Sequence, residues 1–123
     1  MALVPDIHKD RAVLLDVRGL KMHFPIYKGL LRKTAGYVRA VDGVNLFVRQ
    51  GETLGIVGES GCGKTTLGRC ILRLLNPTSG SIFFRGVHGE IADLTELTRQ
   101  EMKRYRREIQ VIFQDPFSSL NSR

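Results

Sequence analysis

Gly58-Glu59-Ser60-Gly61-Cys62-Gly63-Lys64-Thr65-Thr66 has the residue types and spacing of G-x-x-x-x-G-K-[ST], a loop that cradles phosphate. Successive backbone N–H groups must converge on phosphate oxygens in such a loop, and a Cβ on the wrong residue would block the approach. Gly58, Gly61 and Gly63 supply the backbone freedom that this requires. Where the loop opens into a helix, the first N–H groups lack intrahelical partners and the helix dipole favours an anion. Lys64 adds a mobile point charge for the β- and γ-phosphates, and the Thr65 hydroxyl is placed to ligate Mg²⁺. Glu59, Ser60, Cys62 and Thr66 complete the phosphate-binding set. Cys62 invites a nucleophile reading, but no His–Asp pair accompanies it in a recognisable pattern, so its role in the loop is structural.

The elements on either side must hold that loop in place. Residues 53–57 (Thr-Leu-Gly-Ile-Val) read as a short buried strand. After the loop, Leu67, Cys70, Ile71 and Leu74 form the apolar stripe of a helix, and Asn76-Pro77 stops it. Upstream, residues 1–11 read as a loose polar lead and 12–24 as a strand that Pro25 ends or bends. Residues 26–36 read as an exposed loop, and 37–48 as strand again, broken by a hairpin at Asp42-Gly43. Downstream, Thr78-Ser79-Gly80 reads as a turn, 81–85 as a strand, 94–107 as mostly helix and 109–113 as a final strand. Thr98-Arg99-Gln100-Glu101 has the form of a capping box, with Met102, Tyr105 and Ile109 forming the inner face of the helix that follows. The early strands read as antiparallel, whereas 53–57 and 109–113 read as buried members of a parallel sheet.

An apolar share of 42% and a charged share of 25% over 123 residues are ordinary globular values and exclude wholesale disorder. No run approaches the roughly 18 apolar residues of a membrane span, and the first residues do not read as a signal peptide. Two cysteines, Cys62 and Cys70, make no disulfide framework and fit a reducing, cytoplasmic setting. The net charge of +7 is concentrated at residues 28–39 and 99–107. No aromatic residues interleave with those cations as single-strand binding would require, so a solvated helix face or an acidic partner is expected rather than nucleic acid. His8, His23 and His88 read as surface residues.

Four blocks in this order make the chain resemble a family. They are Ala40-Val41-Asp42-Gly43-Val44, residues 51–57, the phosphate loop, and Ile112-Phe113-Gln114-Asp115-Pro116 with Ser119-Leu120-Asn121. The chain resembles the ATP-binding subunit of ABC transporters, specifically the oligopeptide/dipeptide (Opp/Dpp-type) importers. The resemblance implies an α/β fold of the P-loop NTPase class. Residues 12–123 would form the N-terminal part of the ATP-binding domain: an antiparallel β subdomain, the first parallel strands and the P-loop helix. It also implies that Gln114 ligates Mg²⁺ and positions the attacking water, and that residues 115–119 sense the membrane subunit. Phe24 would stack on adenine, with Tyr37 and Tyr27 as rivals. The implied cofactors are ATP and Mg²⁺. The implied partners are transmembrane permease subunits, a second ATP-binding subunit (homo- or heterodimer) and, indirectly, a periplasmic or extracellular peptide-binding protein. The implied location is the cytoplasmic face of the membrane, with no nucleic acid bound.

The resemblance has limits within these 123 residues. The helical subdomain, the Leu-Ser-Gly-Gly-Gln signature, the Walker B strand with its Asp-Glu and the switch histidine do not occur here. Residues 111–115 imitate Walker B, but Gln114 interrupts the apolar run and no glutamate follows. Phosphoryl transfer is mostly positioning and charge stabilisation, so at most weak ATP binding and no appreciable hydrolysis are expected of residues 1–123 alone. Other readings of the same loop are a small P-loop nucleotide kinase, a DNA-associated ATPase of the ABC superfamily, and a non-catalytic stub.

Overall fold

A computed structural model describes residues 5–28, 33–57 and 63–110. Two long strands, β1 (Val13–Lys28) and β2 (Lys33–Arg49), are followed by α1 (Gly63–Ile71), β3 (Ser79–Arg85), β4 (Ile91–Asp93) and α2 (Arg99–Arg106). The strands form one sheet in the order β2-β1-β3-β4, and every neighbouring pair is antiparallel. This matches the antiparallel arrangement expected for the early strands. Pairing continues through Pro25 and Ile26 to Lys28 opposite Lys33, so most of 26–36 is strand, not an exposed loop. Pro25 is tolerated because the pairing of β1 with β3 ends at Lys21, which leaves β1 an edge strand there.

One face of the sheet carries the core. Val17, Leu20, Ile82 and Phe84 point inward, where Leu67 and Cys70 of α1 and Met102 and Tyr105 of α2 cover them. The inner face of α2 is therefore the one its spacing predicts, with the Phe84 and Tyr105 rings meeting edge to face at 5.9 Å. The opposite face is covered in part by residues 5–12, which are not a loose lead. Ile7 is fully buried, its N–H donates to the buried Asp16 carboxylate, and Arg85 donates to the Ile7 carbonyl at 2.6 Å. The Arg18 guanidinium lies 2.6 Å from Asp16 and 2.9 Å from Asp6, which ties that segment to β1 and satisfies the buried carboxylate.

Other expectations change as well. Asp42-Gly43 makes no hairpin. β2 runs straight through it, and Gly43 is the extra residue of a bulge, since Leu20 pairs with Val44 and Lys21 with Asp42. Its φ of +76° is the conformation that the dipeptide signals, used for a bulge instead of a turn. Residues 53–57 form no strand and leave Leu54, Ile56 and Val57 exposed. α1 ends at Ile71, short of Leu74, which is exposed. Thr98 does cap α2 with both arms of the box, but the helix spans only Arg99–Arg106, because residues 94–96 form a turn in which the Thr95 and Glu96 N–H groups donate to Asp93. Residues 109 and 110 carry no strand, and the rest of the expected 109–113 strand lies outside the described residues.

Candidate functional site

α1 opens with Gly63, Lys64, Thr65 and Thr66, and its first turn contains no acidic residue. The first-turn N–H groups of a helix have no intrahelical partner, and its dipole favours an anion at that end. Lys64 and Thr65 are exposed, while Thr66 and Leu67 turn inward and anchor the helix start on the core.

The helix start is held against β2. A Cβ on Gly63 would lie 3.3 Å from the Ala40 carbonyl oxygen, so glycine is what allows this approach without displacing the strand. Ala40 is itself an inserted residue: His23 pairs with Arg39 and Met22 with Val41, which leaves Ala40 bulged between them. Beside this contact lies a cleft of about 520 Å³ whose walls include Ala40, Asp42, Ile56, Gly63, Lys64 and Leu67. Its size suits a small molecule. A larger crevice of about 1040 Å³ lies near Asp16, Arg18, Phe47 and Arg49. Of the two, the smaller cleft is the one that Gly63 and Lys64 border.

Sequence reasoning missed the pair on the rim of that cleft. His23 Nε2 lies 2.9 Å from Asp42 Oδ1, and this hydrogen bond holds the Asp42 carboxyl below the usual carboxylate range. Arg39 and Lys21 act in the same direction. The His23 ring is only 19% exposed, and its backbone N–H donates to Thr78 Oγ1 at 2.9 Å, so it is not the surface residue expected. Only the β1–β2 register, with bulges at Gly43 and Ala40 on either side, brings His23 to Asp42.

Phe24 is half-buried on β1 opposite Val38, Tyr37 is exposed opposite Pro25, and Tyr27 pairs with Thr34. Neither Phe24 nor Tyr37 borders the cleft. Gly58, Glu59, Ser60, Gly61, Cys62 and Gln114 lie outside the described residues. Among the described residues, no cluster of His, Cys, Asp and Glu could hold a metal, and no helix is long and apolar enough to cross a membrane.

The model of the ABC transporter family matches residues 41–123, a span that includes Asp42, the phosphate loop and Gln114. The chain belongs to the ABC transporter family. Over 115 residues it is 47% identical to the oligopeptide transport ATP-binding protein AppF of Bacillus subtilis (strain 168), covering 93% of this chain and 33% of that protein. It is 50% identical over 113 residues to the putative oligopeptide transport ATP-binding protein YkfD of the same organism, covering 92% of this chain and 31% of that one. The chain thus spans about a third of the length of the curated relatives it matches.

Among solved structures, a dimeric ATP-binding cassette, MJ0796, in a post-hydrolysis state bound to ADP and Pi, aligns with a TM-score of 0.60 at 26% identity. The alignment covers 76% of this chain and 35% of that one. The antiparallel sheet with its phosphate-loop helix is accordingly part of an ABC ATPase cassette, the fold class that the sequence implied.

Proposed function

We propose that this chain supplies the ATP-phosphate-binding part of an ATP-binding subunit of an oligopeptide or dipeptide ABC importer. In the whole protein, ATP binding and hydrolysis would drive peptide uptake. The observation that carries the reading is the opening of α1, where Lys64 and Thr65 are presented on a turn free of carboxylates beside the Ala40 cleft. The printed names of AppF and YkfD support peptide transport in particular.

The exposed Thr65 hydroxyl suits a hard cation that takes oxygen ligands. Thr65 and Gln114 would hold Mg²⁺, which neutralises phosphate charge when bound. Lys64 would hold the β- and γ-phosphates, Gly58, Glu59, Ser60, Gly61, Cys62, Gly63 and Thr66 would complete the cradle, and Phe24 would face the adenine. In the same reading, residues 12–123 are part of one ATP-binding domain at the cytoplasmic face of the membrane. It works with permease subunits, a second ATP-binding subunit and, indirectly, a peptide-binding protein.

Calorimetric titration of the full-length protein with ATP and Mg²⁺ tests this. Lys64→Ala should lower the affinity by about 2 kcal/mol, the worth of a hydrogen bond to a charged group. An unchanged affinity would remove the phosphate-loop assignment.

A further inference from the structure

α1 closes in a way that its sequence should resist. The Leu74 N–H donates to the Arg69 carbonyl at 2.8 Å and the Arg73 N–H to the Cys70 carbonyl at 3.0 Å. That pair of bonds places the residue just past the helix in left-handed backbone, a position glycine normally takes because it has no Cβ to collide with the following carbonyl. Here the residue is Arg73, at φ +56°. Among the described residues, no other non-glycine residue has a positive φ. A side chain kept where its backbone is disfavoured points to a use for that side chain.

The use is visible in its partners. The Arg73 guanidinium donates to the Leu94 carbonyl at 2.8 Å and also to the Leu97 carbonyl, and its Nε donates to Asn76 Oδ1 at 3.1 Å. The Arg73 carbonyl accepts from the Arg106 guanidinium at 3.0 Å. Leu94 and Leu97 belong to the connection that delivers Thr98, the cap of α2, and Arg106 is the last residue of α2. Both ends of α2 are therefore tied through one residue to the C-terminal end of α1. The other end of α1 carries Lys64 and Thr65. The planar guanidinium meets the two carbonyls with Nη1 and the Asn76 amide oxygen with Nε, a division between two nitrogens that the single nitrogen of lysine lacks.

We propose that Arg73 is a positioning residue that couples the phosphate-binding end of α1 to α2, the last described helix before Gln114, so that α2 responds to nucleotide. The coupling rests on the nucleotide-site reading given above. Hydrogen exchange on the full-length protein, with and without ATP and Mg²⁺, tests both and separates them.

In the wild type, nucleotide should slow exchange at the start of α1 and also across α2, the latter by roughly fivefold or more, the lower end of measured coupling between sites. In Arg73→Gly, which suits the left-handed backbone and keeps the carbonyl that Arg106 meets but lacks the guanidinium, slowing at α1 should remain and slowing at the start of α2, the end that the guanidinium holds, should vanish. Arg73→Met, which has no donor, should behave the same way, and it decides the question if the glycine variant does not fold. Slowing at the start of α2 that survives in the variants means that Arg73 merely closes the helix, and the coupling is overturned. An α2 that ignores nucleotide in the wild type overturns it too. No slowing at α1 in the wild type overturns the nucleotide-site reading itself, and the coupling with it.

Discussion

Gly63 is small for two separate reasons, and only one of them can be read from the motif. Its place before Lys64 marks it as a phosphate-loop residue, because that spacing is local and depends on nothing else in the chain. Its contact with the Ala40 carbonyl depends on a backbone atom, exposed by a bulge, in a strand more than twenty residues earlier. No residue type announces such a contact. Gly63→Ala would press a Cβ to 3.3 Å from that oxygen, and the obstacle is backbone that cannot swing aside as a flexible side chain could. The substitution should destabilise the chain by about 1 kcal/mol, the lower end for overpacking, and weaken nucleotide binding as the helix start is pushed off β2. Paired melts and ATP titrations check this. Wild-type values in both would mean that the approach to Ala40 does not position the helix.

Elements were legible where their signal is local and ambiguous where it is shared between structures. The capping box of α2 is of the first kind: the Glu101 N–H donates to Thr98 Oγ1 at 3.1 Å, and the Glu101 carboxylate accepts the Thr98 N–H at 2.9 Å. Thr98→Ala should therefore cost about 1 kcal/mol, measured as a lower denaturation midpoint. The same box predicts a pH dependence. The hydrogen bond from the Thr98 backbone N–H, and then that with its hydroxyl, hold the Glu101 carboxyl below its ordinary value of 4.5. A carboxyl depressed in the folded state contributes stability above that value and loses it as pH falls through the lower folded value. Helix content should thus fall on acidification below pH 4.5, and Glu101→Gln should remove that part of the acid sensitivity. A wild-type acid profile in Glu101→Gln would show that the box does not titrate with α2. Asp42-Gly43 is of the second kind. The dipeptide specifies a positive φ, which hairpin turns and bulges both need, and the choice fell to the long register between β1 and β2.

Across the molecule, the largest departure from the sequence reading is at residues 53–57. Their apolar pattern signals burial, but a parallel strand acquires burial only from strands on both sides and layers on both faces. Among the described residues the sheet is antiparallel throughout and offers 53–57 no neighbour. Leu54 is consequently 44% exposed, Ile56 47% and Val57 95%, beside the cleft that holds Gly63 and Lys64. Apolar surface gathered at one place in this way marks an interaction face or an aggregation liability. The isolated 123-residue polypeptide should therefore bind the dye ANS, and Ile56→Ser with Val57→Ser should remove most of that signal. Neither side chain is packed in the core, so the double variant should melt within about 0.5 kcal/mol of the parent. Retention of the full dye signal would locate the sticky surface elsewhere, with exposed Leu74 and Val87 the next residues to replace. Loss of the signal together with a large drop in stability would show instead that 53–57 packs as the strand its pattern describes.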